Sequence, residues 1–533
     1  MGIGITSKIG SWAGMQTAMV RAGEPGSFNP IYESPSALTA QNRVDELLLT
    51  DWHKSGATPA RPCSDAVYVR RAFLDVIGTL PTTAETLSFL NNPSPAKRAA
   101  LIEILLKRDE FADYWTLRWS DTLRIKAEFP INLWPNAAQT YHHWVREQIA
   151  ANTPYNKFAY ALLTTSGSDF YDAPVNFYRA MQNRKPEGIA QTVALTFMGT
   201  RSENWKPERL AQMAKFFYCV NYKATWEWKE EIVYFDPARQ ADPKSNFTPL
   251  ALPCMATLPD GKKMELDADH DPRLLFATWL TSPGNAWFSR AVVNRVWFWL
   301  MGAPLTVNAD EIESGGKVTS SPLLDYLASE LERADYDLLH IYRLILTSGA
   351  YQLSSLPQGD AMMARAQFAS YAPRRLDAEV LIDALCQISG TSEDYSSAIP
   401  EPYTFMPPGQ RAISLPDGSI SSAFLEQFGK PARDTGLQNE RNNTPTDAQR
   451  LHMLNSSHIQ KKIQQGPRVQ KTVADAKSPD DLVDRLYLMI LSRHPSDSER
   501  ATALAQLKSG SKNDSVTDLA WALVNTTEFL YRH

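Results

Sequence analysis

Cysteine is scarce in this chain of 533 residues: Cys63, Cys219, Cys254 and Cys386 are all there are. They lie too far apart to form a C-x-x-C pair, and none stands before a histidine in a haem-attachment pattern. Covalent c-type haem is thereby excluded, structural zinc of the usual kind is disfavoured, and no cofactor or metal is expected. Free, mostly buried thiols are the expectation, with disulfides between distant cysteines left open. Histidine is sparse too. His142 and His143 are adjacent and face different ways on a helix, and His452 and His458 are six apart, so neither pair makes a local metal clamp.

Other absences narrow the field further. No apolar run approaches transmembrane length. An excess of positive charge is lacking, because 54 basic residues face 59 acidic ones for a formal charge of -5, which argues against nucleic acid as a partner. The G-x-S-x-G and H-E-x-x-H hydrolase signatures are missing. Gly315-Gly316-Lys317 fails as a phosphate loop, with no glycine five positions before Gly316 and Val318 where Ser or Thr is needed, so it reads as a flexible loop. The stretch from Ile9 to Val20 is interrupted by Gly10, Ser11, Gly14, Gln16 and Thr17, and no export signal is legible in it.

What is present is the 43% hydrophobic, 21% charged balance of a globular protein, long enough for two to four domains. Residues 1 to 40, rich in Gly, Pro and Ser, read as an irregular arm. From Val44 onward, apolar residues recur at helical spacing between Pro-containing turns. Some alternation appears near Trp226, predicting a small strand-and-loop element up to Glu265. The expected fold is therefore mainly α: a multi-helical two-domain protein with a small β/loop insertion and a C-terminal helical unit. Its boundaries are read at 41–227, 228–272, 273–470 and 471–533.

Arginines inside apolar helical stripes are the most unusual feature. Arg118 lies among Phe111, Trp115 and Trp119, and Arg295 lies between Val292 and Trp299. A buried guanidinium needs a partner. Asp121 is the nearby candidate for Arg118, and Asp377, Glu379 and Asp383 follow Arg374 and Arg375. Such residues make either structural ion pairs between helices or a polar cleft for an anionic or sugar ligand, since Arg forks and Trp faces suit sulfate, carboxylate and pyranose rings.

Several separated stretches form a recognisable pattern. Arg70-Arg71-Ala-Phe-Leu-Asp75-Val-Ile-Gly78-Thr-Leu-Pro81-Thr, with Tyr114-Trp115 and Arg118-Trp119-Ser-Asp121-Thr-Leu-Arg124, resembles the planctomycete cytochrome-associated domain of unknown function. Arg290-Ala-Val-Val-Asn294-Arg295-Val-Trp297, Pro373-Arg374-Arg375-Leu-Asp377-Ala-Glu379, Phe428-Gly-Lys-Pro431-Ala-Arg433 and Glu440-Arg441 resemble its usual neighbour, the planctomycete-specific domain. The resemblance implies an exported, periplasmic or envelope protein of planctomycetes or verrucomicrobia, often found beside sulfatase-like hydrolases in polysaccharide-degrading gene sets. Many members of the family have a C-x-x-C-H segment after a phrase like Thr196-Phe-Met-Gly199-Thr-Arg201, where this chain passes to Ser202-Glu-Asn-Trp205-Lys-Pro207.

The candidate ligand-binding set is Arg71, Asp75, Arg118, Asp121, Asn294, Arg295, Arg374, Arg375, Asp377, Glu379, Arg433 and Glu440. The first functional expectation is non-catalytic binding of a polysaccharide or of a neighbouring hydrolase. Two alternatives stand beside it: a carbohydrate-active hydrolase or lyase using paired carboxylates drawn from Asp75, Asp121, Asp377, Glu379, Asp383 or Glu440, and a haem-free accessory that docks a cytochrome. Expressed with a haem-maturation system, the chain is expected to stay colourless, because covalent attachment needs thiols close to an axial histidine. A Soret band at one haem per chain that survives denaturation would contradict this.

Overall fold

A computed structural model of the chain describes residues 28–239, 248–508 and 512–533. The N-terminal arm expected over residues 1 to 40 thus falls largely outside the described residues. Helices dominate. Much of the punctuation read as Pro-containing turns is a set of helix starts: Pro135, Pro186, Pro207, Pro272, Pro322, Pro467 and Pro479 each stand in a first helical turn. There the missing N–H costs nothing and φ is already set. Thr82 with Glu85 and Ser496 with Glu499 close capping boxes on two further helices, satisfying donors that the first turn leaves orphaned.

The apolar faces merge into one continuous core from Val44 to Phe529. At its centre, the helix Asp109–Leu123 meets the helix Phe288–Met301. Trp115 packs against Tyr342 with centroids 4.4 Å apart, and both Trp115 and Trp119 reach Trp299, at 5.6 and 5.5 Å. Tilted and edge-to-face pairs of this kind add about 0.5–1.5 kcal/mol each beyond their buried area. They lock the first helical region against the second. No helix among the described residues is long and apolar enough to cross a membrane.

The strands are small. Gly167–Ser168, Glu231–Phe235 and Val220–Ala224 form a three-stranded antiparallel sheet, and Cys254–Thr257 pairs with Lys263–Leu266. The sheet begins earlier than the alternation near Trp226 predicts, and Trp226 and Trp228 lie in the turn between two strands. Gly315 and Gly316 make the two-residue turn of a tight hairpin, Glu313–Ser314 with Lys317–Val318, both at positive φ, as such turns demand.

The C-terminal helices Pro479–Leu491, Asp497–Leu507 and Lys512–Val524 pack together, and the short helix Thr527–Leu530 leads into a strand. Tyr531–Arg532 forms a strand that pairs antiparallel with Arg374–Arg375. Arg70 holds this region in place by donating to the carbonyls of Ile490 and Phe529, at 2.8 and 3.1 Å, and Arg71 donates to the carbonyl of His533 at 2.9 Å. The four cysteines are free, with Cys63 and Cys219 buried.

Candidate functional site: an arginine-rich cleft

The helix Asp109–Leu123 places Tyr114, Arg118 and Asp121 at i, i+4 and i+7, on one face. Opposite them, Asp377 stands just before the helix Ala378–Ser389 yet makes no capping bond to it. Its carboxylate is used across the interface instead. Oδ2 accepts from Arg118 at 2.5 Å and Arg532 at 2.6 Å, and Oδ1 accepts from Asn443 at 2.7 Å. Glu379, in the first turn of that helix, receives both terminal nitrogens of Arg441, at 2.6 and 3.1 Å. The positive end of the helix favours both anions.

Arg441 also forks onto Asp121, with Nε at 3.1 Å and Nη2 at 2.8 Å, while Arg433 approaches the other oxygen of Asp121 at 2.9 Å. The partner expected for Arg118 was Asp121. In the structure Asp121 is taken by the two arginines of the later segment, and Arg118 instead reaches Asp377. One helical turn separates Arg118 from Asp121, and the opposing arginines occupy both of its oxygens, Arg433 at Oδ1 and Arg441 at Oδ2.

Arg374 and Arg532 stand directly opposite each other in the terminal strand pair, a placement that like charges disfavour. Asp75 resolves it: its Oδ1 lies 3.2 Å from Arg374 and 3.4 Å from Arg532, while its Oδ2 accepts from Tyr351 and Tyr371 at 3.0 and 2.7 Å. Arg374 also caps the helix Phe288–Met301, donating to the carbonyls of Trp299 and Leu300, both at 2.6 Å. Gly302 makes this approach possible. Its φ is +83°, and a Cβ there would lie 2.6 Å from Arg374 Cδ.

These groups surround a cleft of about 90 Å³ lined by Arg118, Asp121, Phe298, Trp299, Gly302, Arg374, Arg375, Asp377, Leu437, Gln438, Arg441, Asn443 and Arg532. Arg375 makes no ion pair; it donates to Gln449 and to the carbonyl of Phe428, and burial lowers its pKa. Six guanidinium groups, of Arg118, Arg374, Arg375, Arg433, Arg441 and Arg532, thus stand against four carboxylates, of Asp75, Asp121, Asp377 and Glu379.

Other sequence candidates lie elsewhere. Arg71 stacks 3.7 Å from the Tyr371 ring centroid and is spent on carbonyls. Arg295 caps another helix through the carbonyls of Thr196 and Leu195, with Asp310 at 3.9 Å, and Asn294 bonds Thr306 and the Leu305 amide. Glu440 accepts from the amides of Asp434 and Thr435 and shapes a turn. Asp383, considered above as an arginine partner, faces Arg411 and the amides of Ala412 and Ile413 instead, and burial pushes it up to about 6. Arg441, Asn443 and Arg532 belong to the cleft without having been chosen from the sequence. Arg441 is visible beside Glu440 in the family pattern, whereas nothing local marks Arg532. Among the described residues, no group of three or more His, Cys, Asp or Glu side chains forms a metal-binding cluster.

A mainly helical protein with a charged cleft between its two halves is thus defined. Residues 43–216 match the PSCyt2 family, a protein of unknown function (DUF1549), and residues 272–507 match PSD1, a protein of unknown function (DUF1553). The chain belongs to the proteins that have the planctomycete cytochrome-associated domain followed by the planctomycete-specific domain. No curated protein and no solved structure matches it. The cleft draws Arg118 and Asp121 from the first matched region, most of its wall from the second, and Arg532 from beyond both.

Burial alone would raise the pKa of Asp377, but the charges of Arg118, Arg532 and Arg441 and the Asn443 amide outweigh it and hold the carboxyl well below the usual range. A depressed carboxylate pKa contributes stability that is complete above the unfolded value, near 4, and is lost as pH falls through the folded one. Asp377→Asn is therefore expected to cost about 3–5 kcal/mol at pH 7, as breaking a buried pair does. In urea denaturation, the gap between wild type and variant should stay constant above about pH 5 and narrow below about pH 4. A gap independent of pH down to about 3 would contradict the assignment.

Proposed function

We propose that the chain is a non-catalytic binding protein whose cleft takes an oxyanion, a sulfate ester or carboxylate, on a polysaccharide in the cell envelope. The observation behind this reading is the excess of guanidinium over carboxylate around an open cleft. Burying a cation without a counter-charge costs several kcal/mol, and an entering anion removes that cost. At about 90 Å³ the space suits a compact oxyanion, since a single water needs roughly 10–15 Å³ on the same measure. The polysaccharide and the envelope location rest on the family resemblance alone.

The chemistry of the walls favours binding over hydrolysis. Paired carboxylate catalysis needs one acid that keeps its proton and one free base. Asp377 is held ionised, and Asp121 and Glu379 are each forked by arginine. Asp383, with its raised pKa, does not line the cleft.

Calorimetric titration with a sulfated polysaccharide and its desulfated counterpart tests the reading. Wild type is expected to bind the sulfated form, with affinity falling as salt rises. Leu437→Glu places a carboxylate at the half-buried cleft wall without removing an ion pair, and should abolish binding without lowering the melting temperature. Equal affinity for the desulfated form, or shortened chains detected by mass, would overturn it.

A further inference from the structure

Outside the cleft, three aromatic side chains from distant segments meet at the surface. Trp134 precedes the helix Pro135–Ala150, Trp228 lies in the turn between Val220–Ala224 and Glu231–Phe235, and Tyr403 lies in the irregular stretch after Ala378–Ser389. Their ring centroids are 4.7 Å (Trp134–Trp228), 5.6 Å (Trp134–Tyr403) and 5.2 Å (Trp228–Tyr403) apart, at interplanar angles of 77°, 62° and 53°. Rings this close touch one another and leave no space for a cation between them. The Lys229 ammonium lies over two of the rings, 5.0 Å from the Trp134 centroid and 5.6 Å from that of Trp228. Trp228 and Tyr403 remain 53% and 44% exposed, and Trp226 in the same turn is fully exposed.

Displaying these rings is costly twice over. A soluble surface disfavours a contiguous apolar patch, and the backbone is strained where it holds them: Trp134 has φ 71° and ψ 150°, and Lys229 has φ 68°. Strain in non-glycine residues persists where surrounding contacts enforce it. Here the Trp134 amide donates to the Ala127 carbonyl at 3.1 Å, and Arg179 donates to the Leu133 carbonyl at 3.2 Å.

We infer that this cluster is a second binding site, one that stacks the pyranose rings of an uncharged polysaccharide. The exposed parts of Trp228 and Tyr403 suit the C–H face of a sugar. Around them, the exposed side chains of Glu227, Lys229 and Glu401 offer acceptors and donors to the hydroxyls on the sugar's edge. With two carboxylates against one ammonium, the patch has no positive surplus to draw an anionic ligand. A protein docking surface is depleted of charge at its core, whereas here the Lys229 ammonium lies over the rings themselves. The site is independent of the arginine cleft, from which Trp134, Trp228 and Tyr403 are absent.

The test is electrophoresis of the full chain through gels containing neutral xylan, mannan, galactan or mixed-linkage glucan, followed by calorimetry on any that retards it. At least one is expected to bind. Trp228→Ala and Tyr403→Ala, both at exposed positions, should each weaken that binding by about tenfold or more, while Leu437→Glu leaves it unchanged. Failure of every neutral glycan to retard wild type, or an unaltered affinity in both aromatic variants, overturns the proposal without touching the anion cleft. Self-association abolished by Trp228→Ala, with no glycan bound, would assign the surface to a second copy of the chain and overturn it equally.

Discussion

Asp377 is the point on which the molecule's charged interior turns. Its side chain is fully buried, and it binds guanidinium groups from a helix early in the chain and from the terminal strand, with the Arg441 guanidinium 3.8 Å away. An isolated carboxylate there would be protonated or expelled by desolvation. The surrounding arginines reverse that tendency, and in doing so bring three distant stretches of chain together. The same logic extends through Asp75, which screens Arg374 from Arg532, and through Asp121 and Glu379, both forked by Arg441. Aromatic packing locks the two helical regions together, and the ion pairs add directional contacts between the same elements.

Such networks need not stabilise more than apolar packing would, and they are retained where charge has a use. The surplus of guanidinium groups, together with Arg375 lining the cleft without an ion pair, makes ligand binding the economical explanation. A purely structural network would be expected to balance its charges. The aromatic cluster adds a contact of a different type.

Much of this was legible in the sequence. Helical periodicity predicts the mainly α architecture, and arginines within apolar stripes mark Arg118, which reaches the cleft, and Arg295, which does not. The family pattern marked Asp75, Asp121, Asp377 and Glu379. Partners were harder to read. Local spacing favours Asp121 for Arg118, yet the pairing is decided by how two helices cross. The same motifs include Asn294, which bonds the loop after its own helix, and Arg295, which caps the end of a neighbouring one. Arg532 was invisible because a two-residue strand leaves no periodic signal, and Trp134, Trp228 and Tyr403 because rings that meet only in space leave no mark in sequence.

The charge surplus of the cleft can be measured with no knowledge of the natural ligand. Inorganic sulfate at constant ionic strength should raise the melting temperature of the wild-type chain along a saturating curve, since a ligand that binds only the folded state stabilises it by mass action. The Leu437→Glu variant, with a carboxylate already at the cleft wall, should show only the weak, non-saturating rise that sulfate gives any folded protein. Parallel, non-saturating curves for both chains would contradict an anion-binding cleft and leave the arginine network with a structural role alone.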